Sequence, residues 1–145
     1  MLEELKNLKP FRKADLFNFL KVVLGNQAIS IRDLRVICRH VPGDYIFDVN
    51  SLIEYCSIFE FITFEQDNKI KLIPDIIDKF DNLKELNVYI VESVVNKLFA
   101  AGVFKETFFS YDLIAHRYKF KNEQLSLSLA GIRNLLVNLG FFELD

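Results

Sequence analysis

A chain of 145 residues that is 51% hydrophobic and 14% aromatic carries enough apolar side chains for a packed core, which excludes a disordered polymer and suits one domain or two very small ones. Eighteen Lys and Arg against twenty Asp and Glu leave a formal charge of −2, so a protein held mainly by nucleic-acid phosphates is not expected. No apolar run approaches the roughly 18 residues of a membrane span, and "MLEELKNLKPF" carries acids where a secretory leader would be basic; a cytoplasmic protein without a membrane partner is expected.

Residues 11–25, "FRKADLFNFLKVVLG", place Leu16, Leu20, Val23 and Leu24 on one helical face, with Gly25 as the expected C-cap. Phe11, Phe17 and Phe19 surround that helix and predict burial on more than one side. "AIS" is a short extended link. Ser30 can then cap "IRDLRVICRH", whose stripe is Leu34, Ile37, Cys38 and Val41, before Pro42 and Gly43 stop it. Asp48 can cap a third helix, "VNSLIEYC", with Val49, Leu52, Ile53 and Cys56 at the spacing of a buried face.

"FITFEQDNKIKLI", residues 61–73, follows as a hairpin. Pairing Phe64 with Ile70 and Ile62 with Leu72 puts four apolar residues on one face, and the same register opposes Glu65 to Lys69 and Thr63 to Lys71. Gln66, Asp67 and Asn68 form the loop, whose last position favours a left-handed residue such as Asn. Three helices and a half-buried hairpin are the order of a winged helix-turn-helix unit.

The order returns in the second half. Asn82 with Glu85 resembles a capping box, and the helix behind it carries Val91, Val94, Val95 and Leu98 before Gly102. Ser110 can cap a short helix near "YDLIAHR", and Ser128 a third. In that third helix Ile132, Leu135, Leu136 and Leu139 repeat the spacing of Val49, Leu52, Ile53 and Cys56 at an offset of 83, which continues by matching Ile58, Phe59 and Glu60 to Phe141, Phe142 and Glu143. The expected fold is therefore mainly α with a small β-hairpin (α+β): two winged helix-turn-helix units in tandem, 1–74 and 75–145, the second lacking a full wing.

The chemistry-bearing residues are few. The third helix of the first unit has no Lys or Arg and carries Asp48 and Glu54, a poor surface for a phosphate backbone. Its counterpart offers only Arg133, Asn134 and Asn138. Candidate DNA contacts are the Arg32, Arg35 and Arg39 stripe, Lys69 and Lys71 on the wing, and Arg117, Lys119 and Lys121 in "HRYKFK", where Tyr118 and Phe120 alternate inward as in any edge strand or extended link. An Arg stripe is most often a solvated face or a partner for acidic side chains. His40 and His116 are the only histidines; there is no Gly-rich phosphate loop and no CxxC or HxxxH pair, so neither an enzyme, a metal nor a cofactor is expected. Cys38 and Cys56 sit in apolar stripes as reduced core residues. Asp75, Asp78 and Asp81 read as a solvated face near a helix start.

Apolar surface remains in surplus. Phe104, Phe108, Phe109, Tyr111, Phe141 and Phe142 exceed what two small cores absorb, so they mark either a protein interface or the packing of one unit on the other. With the wing "FITFEQDNKIKLI" in the first unit and "GIRNLLVNLGFFELD" closing the second, the chain resembles the tandem winged-helix small subunits of SMC-type and related ABC ATPases. These are the kleisin-interacting tandem winged-helix proteins and the middle components of three-component ABC systems used against phages and plasmids, such as Lamassu. The resemblance implies a non-enzymatic adaptor that binds a larger ATPase subunit, with Phe108, Phe109, Phe141 and Phe142 as candidate interface and double-stranded DNA as an auxiliary contact. The alternatives are a winged-helix DNA-binding protein or transcriptional regulator, and a plain homodimer.

Overall fold

The computed structural model describes residues 1–9, 11–39, 48–105, 108–114, 117–121, 124–140 and 142–144, without the side chains of Arg39 and Arg117. Helix α1 spans Leu2–Lys6, a short turn not foreseen from the sequence, and buries Leu5. Helix α2, Lys13–Gly25, starts where the buried Asp15 carboxylate accepts the Arg12 backbone N–H at 2.9 Å and the Arg12 guanidinium at 3.1 Å. The N-cap backbone N–H is thereby satisfied, and the guanidinium adds an ion pair to the same carboxylate. It buries Leu16, Phe19, Leu20 and Val23, with Phe17 packed at its edge, so the helix is covered on more than one side. Gly25 is not the cap: it is the last helical residue, Asn26 caps, and Gln27 takes the left-handed conformation at φ 58°.

The expected extended link is strand β1, Ile29–Ser30, and Ser30 Oγ accepts the Asp33 N–H at 3.1 Å to cap α3, Ile31–Arg39. Leu34 and Cys38 point inward; Ile37, expected in the stripe, is exposed, and Val41, Pro42 and Gly43 lie outside the described residues. Helix α4, Val49–Ile58, is capped by Asp48, whose carboxylate accepts the Ser51 N–H at 2.9 Å. Leu52, Tyr55 and Cys56 are fully buried, while Val49 and Ile53 are half-buried. The helix closes with Glu60 at φ 59°, the Glu60 N–H donating to Ser57 and the Phe61 N–H to Cys56, so a left-handed residue satisfies the last carbonyls.

Strands β2 (Ile62–Glu65) and β3 (Lys69–Leu72) pair antiparallel in the register read from the sequence, Ile62 with Leu72 and Phe64 with Ile70. Two differences stand. Both Asp67 and Asn68 are left-handed, and Phe64 on the edge strand is 56% exposed although its partner Ile70 on the central strand is fully buried. Strand β1 adds to β3, giving the order β1-β3-β2.

Beyond the short α5, Pro74–Ile77, Asn82 Oδ1 accepts the Lys84 and Glu85 N–H groups and opens α6, Leu83–Ala100. This helix buries Leu86, Ile90, Val91, Val94, Val95 and Leu98. It ends in the same motif as α4, with Gly102 at φ 70°, its N–H on Phe99 and the Val103 N–H on Leu98, both 3.0 Å.

The next segment departs from expectation. Residues expected to form a helix near "YDLIAHR" instead enter a hairpin of β4 (Phe109–Asp112) and β5 (Arg117–Phe120), with Phe109 opposite Phe120 and Tyr111 opposite Tyr118. Ser110 is a strand residue, not a cap. Aromatic residues at alternate positions favour the pleated surface once a partner strand is in reach. Helix α7, Leu127–Asn138, is capped by Ser126 through the Leu129 N–H rather than by Ser128, and β6, Phe142–Leu144, runs parallel to β5. The sheet order β4-β5-β6 makes β5 central, not an edge.

The helix correspondence also shifts by nearly one turn. Glu60 and Gly140 are the left-handed residues after α4 and α7, and Ile62 and Phe142 begin the following strands; both pairs differ by 80, not 83. At that offset Leu52, Tyr55, Cys56 and Phe59 match Ile132, Leu135, Leu136 and Leu139, all buried. An apolar stripe at three- and four-residue steps superposes nearly as well when slipped by three.

The buried apolar side chains form one cluster from Leu5 to Phe142. Phe61 of the first half meets Tyr89 of α6 at 6.3 Å, and Lys97 Nζ reaches Glu60 at 2.6 Å. The architecture is α+β, helices around two small sheets, one antiparallel and one mixed.

Candidate interaction surfaces

Two of the four aromatic interface candidates are core residues. Phe109 is 7% and Phe142 2% exposed, packed with Phe104 and Phe120 at ring distances from 4.5 to 6.2 Å. Phe108 is half-buried beside Phe104, and Phe141 lies outside the described residues. Phe104, Phe109 and Phe142 are therefore absorbed by the second sheet, whose inner face packs against Phe99 of α6, while Tyr111 stays 45% exposed.

Exposed apolar side chains are spread over several elements, Leu127 at 94% among them, and three of them cluster a few residues away on the β4–β5 hairpin. Tyr111 and Tyr118 share the inner face at 5.2 Å, and beyond them Leu113 is 76% and Ile114 94% exposed. Turns usually carry polar residues, yet this one presents two large aliphatic side chains to solvent. The turn is shaped: Asp112 Oδ1 accepts the Ile114 N–H at 2.9 Å. On the outer face Lys119 Nζ bridges Asp112 at 3.3 Å and Glu143 at 4.0 Å, fastening the arm to β6. Tyr111, Leu113 and Ile114 together make this end of the hairpin, the arm, an exposed apolar patch. Its sequence signal was the aspartate and aliphatic pair between two alternating aromatic runs, which helix-like spacing concealed.

The basic candidates divide. Arg32 and Arg35 rim a groove of about 770 Å³ between α3 and the wing tip, with Ser30, Asp67 and Asn68. Arg35 is held there by Asn50 Oδ1 at 2.7 Å. Lys69 lines an adjoining groove with Asp33, Val36 and Ile37. Neither Arg32 nor Lys69 has a carboxylate partner among the described residues. Lys71, by contrast, is bound to Glu65 at 3.1 Å, and Lys119 is neutralised in the arm. Lys121 is exposed at the end of β5; the side chains of Arg39 and Arg117 lie outside the described set.

Cys38 and Cys56 are free thiols in the core. Burial pushes Cys38 up to about 11 and Cys56 higher still, so neither is a thiolate at neutral pH. Tyr89 is raised first by burial and then by the charge of Asp75, and Tyr118 first by burial and then by the charge of Glu92. Among the described residues no group of three or more His, Cys, Asp or Glu is gathered to hold a metal ion; His40 and His116 lie outside that set. No described helix is long and apolar enough to cross a membrane. Compared with known proteins, the chain matches no family model, no curated relative and no solved structure.

Proposed function

We propose that this chain is a non-catalytic adaptor that joins a larger protein subunit through the β4–β5 arm. The observation that carries the reading is the clustering of Tyr111 (45% exposed), Leu113 (76%) and Ile114 (94%) at the end of one hairpin, with the Asp112–Ile114 bond fixing the start of the connection. In this reading the first half, α2 to β3, is a winged helix-turn-helix unit. The second half is a diverged partner in which the arm stands where the middle helix would be. The family resemblance makes an ATPase subunit the partner to seek, with a setting in SMC-like or anti-phage complexes.

The test is purification of the tagged protein from its native host after nuclease treatment. A larger ATPase subunit at near-equal amount, released by Ile114→Asp, is the expected result. Recovery of nuclease-sensitive material alone would overturn the adaptor reading.

A second reading, an auxiliary contact to duplex DNA, draws on Arg32, Arg35 and Lys69 around the α3–wing grooves. Three phosphate contacts give a slope of about −3 in log affinity against log salt. A flat salt dependence removes it.

A further inference from the structure

The exposed side of α6 carries a feature that neither the arm nor the basic stripe explains. Lys79, Lys84, Glu85, Val88, Tyr89 and Glu92 line a groove of about 430 Å³ between the α5–α6 turn and the helix. Its apolar lining is Val88 and Tyr89. Ile77, ending α5, and Leu83, beginning α6, are exposed large apolar residues in the turn that leads into it.

The charge of this segment is lopsided. Residues 75–92 hold five carboxylates, Asp75, Asp78, Asp81, Glu85 and Glu92, against two lysines, a local charge of −3 in a chain whose total is −2. All five are exposed. None has an ion-pair partner among the described residues; elsewhere Asp33, Glu54 and Asp67 share that state, while Glu60, Glu65, Asp112 and Glu143 are ion-paired.

From the apolar lining and this unpaired charge, we infer that the α5–α6 groove docks a basic amphipathic helix of a protein partner. Glu85 and Glu92 are seven residues apart, about 10 Å along the α6 axis, with Val88 and Tyr89 between them. A partner helix with lysines seven residues apart and leucines between them has the same spacing, so its cations meet the two glutamates while its leucines cover the apolar residues. A second copy of this chain does not fit, because an isologous contact would set −3 against −3. Nucleic acid is repelled for the same reason. The inference rests on the adaptor reading for the existence of a protein partner, and the two are tested with different variants.

The probe is a fluorescein-labelled peptide of about 15 residues built only of Leu and Lys, with Leu at i, i+3, i+4 and i+7. Its control is a scrambled peptide of the same composition without an apolar face. Fluorescence anisotropy with the full chain should show the patterned peptide binding about tenfold tighter than the scrambled one, and Glu85→Lys with Glu92→Lys should remove that advantage. Amide shifts should map to α5 and α6. Equal affinity for both peptides would show mere polycation attraction and overturn the inference, as would shifts confined to another face. If the charge-reversed variant loses its circular-dichroism spectrum, Glu85→Gln with Glu92→Gln replaces it, and unchanged affinity in that folded variant refutes the groove. Ile114→Asp should bind the peptide normally, so failure of the groove and failure of the arm are read separately.

Discussion

Tyr55 offers the sharpest test of the packing. Its ring is fully buried in α4, edge-on to Phe11 at 5.3 Å, tilted on Phe59 at 4.7 Å and near Phe61 at 6.3 Å, while its hydroxyl has no hydrogen-bond partner among the described residues. Burial pushes the phenol up, so the group enters the core as a neutral hydroxyl. A buried hydroxyl left unpaired costs about 1–3 kcal/mol. Tyr55→Phe removes that cost and keeps every ring contact; it leaves a void of roughly 15 Å³, which at about 24 cal/mol per Å³ costs about 0.4 kcal/mol. The net expectation is a stabilisation of about 1–2 kcal/mol, or a rise in Tm of about 3–6 °C for a chain of this size. Urea unfolding should show a higher midpoint at unchanged slope. Tyr55→Leu, which keeps an apolar side chain but forfeits the ring pairs, should instead lose at least about 1 kcal/mol. A Phe variant less stable than the parent by more than about 0.5 kcal/mol would show that the hydroxyl is satisfied, and would refute the reasoning.

Glu60 and Gly102 hold equivalent left-handed positions after α4 and α6, so Glu60→Gly should gain about 0.5 kcal/mol and Gly102→Ala lose about 1 kcal/mol in the same urea assay; equal effects of one sign would sink the comparison. Loss of the Glu60–Lys97 pair offsets little of the gain, because the glutamate side chain is mostly exposed. Asp48→Ala should cost about 1 kcal/mol through the lost Ser51 N–H bond, and Asp48→Ser should recover most of it. Stability should also fall in alkali. The folded state raises the Cys38 thiol from 9.0 to about 11, so its contribution is complete below pH 9 and is lost as pH rises toward 11, with Cys56 and Tyr55 acting in the same direction. A Tm that stays flat across that window would contradict the burial of the thiols.

What could be read without the structure was local. The register of β2 and β3 follows from alternation plus a three-residue loop, because a slip by one would turn Ile62, Ile70 and Leu72 to solvent. Ser30, Asp48 and Asn82 were legible as caps because each short polar side chain precedes an apolar stripe and reaches a first-turn N–H within three residues. The tertiary structure decided the rest. The segment around Tyr111 and Leu113 has spacing compatible with a helix, and it is a strand and turn because β5 lies beside it and β6 joins β5 from more than twenty residues away. Pairing of that kind leaves no period in the chain it recruits. The same holds for the candidate surfaces. Composition announced an excess of aromatic side chains, but only the packing of Phe104, Phe109, Phe120 and Phe142 into one cluster showed that the rings belong inside and that Leu113 and Ile114 stand outside. Hydrophobicity says which side chains seek cover; which of them obtain it depends on the neighbours that the fold brings over them.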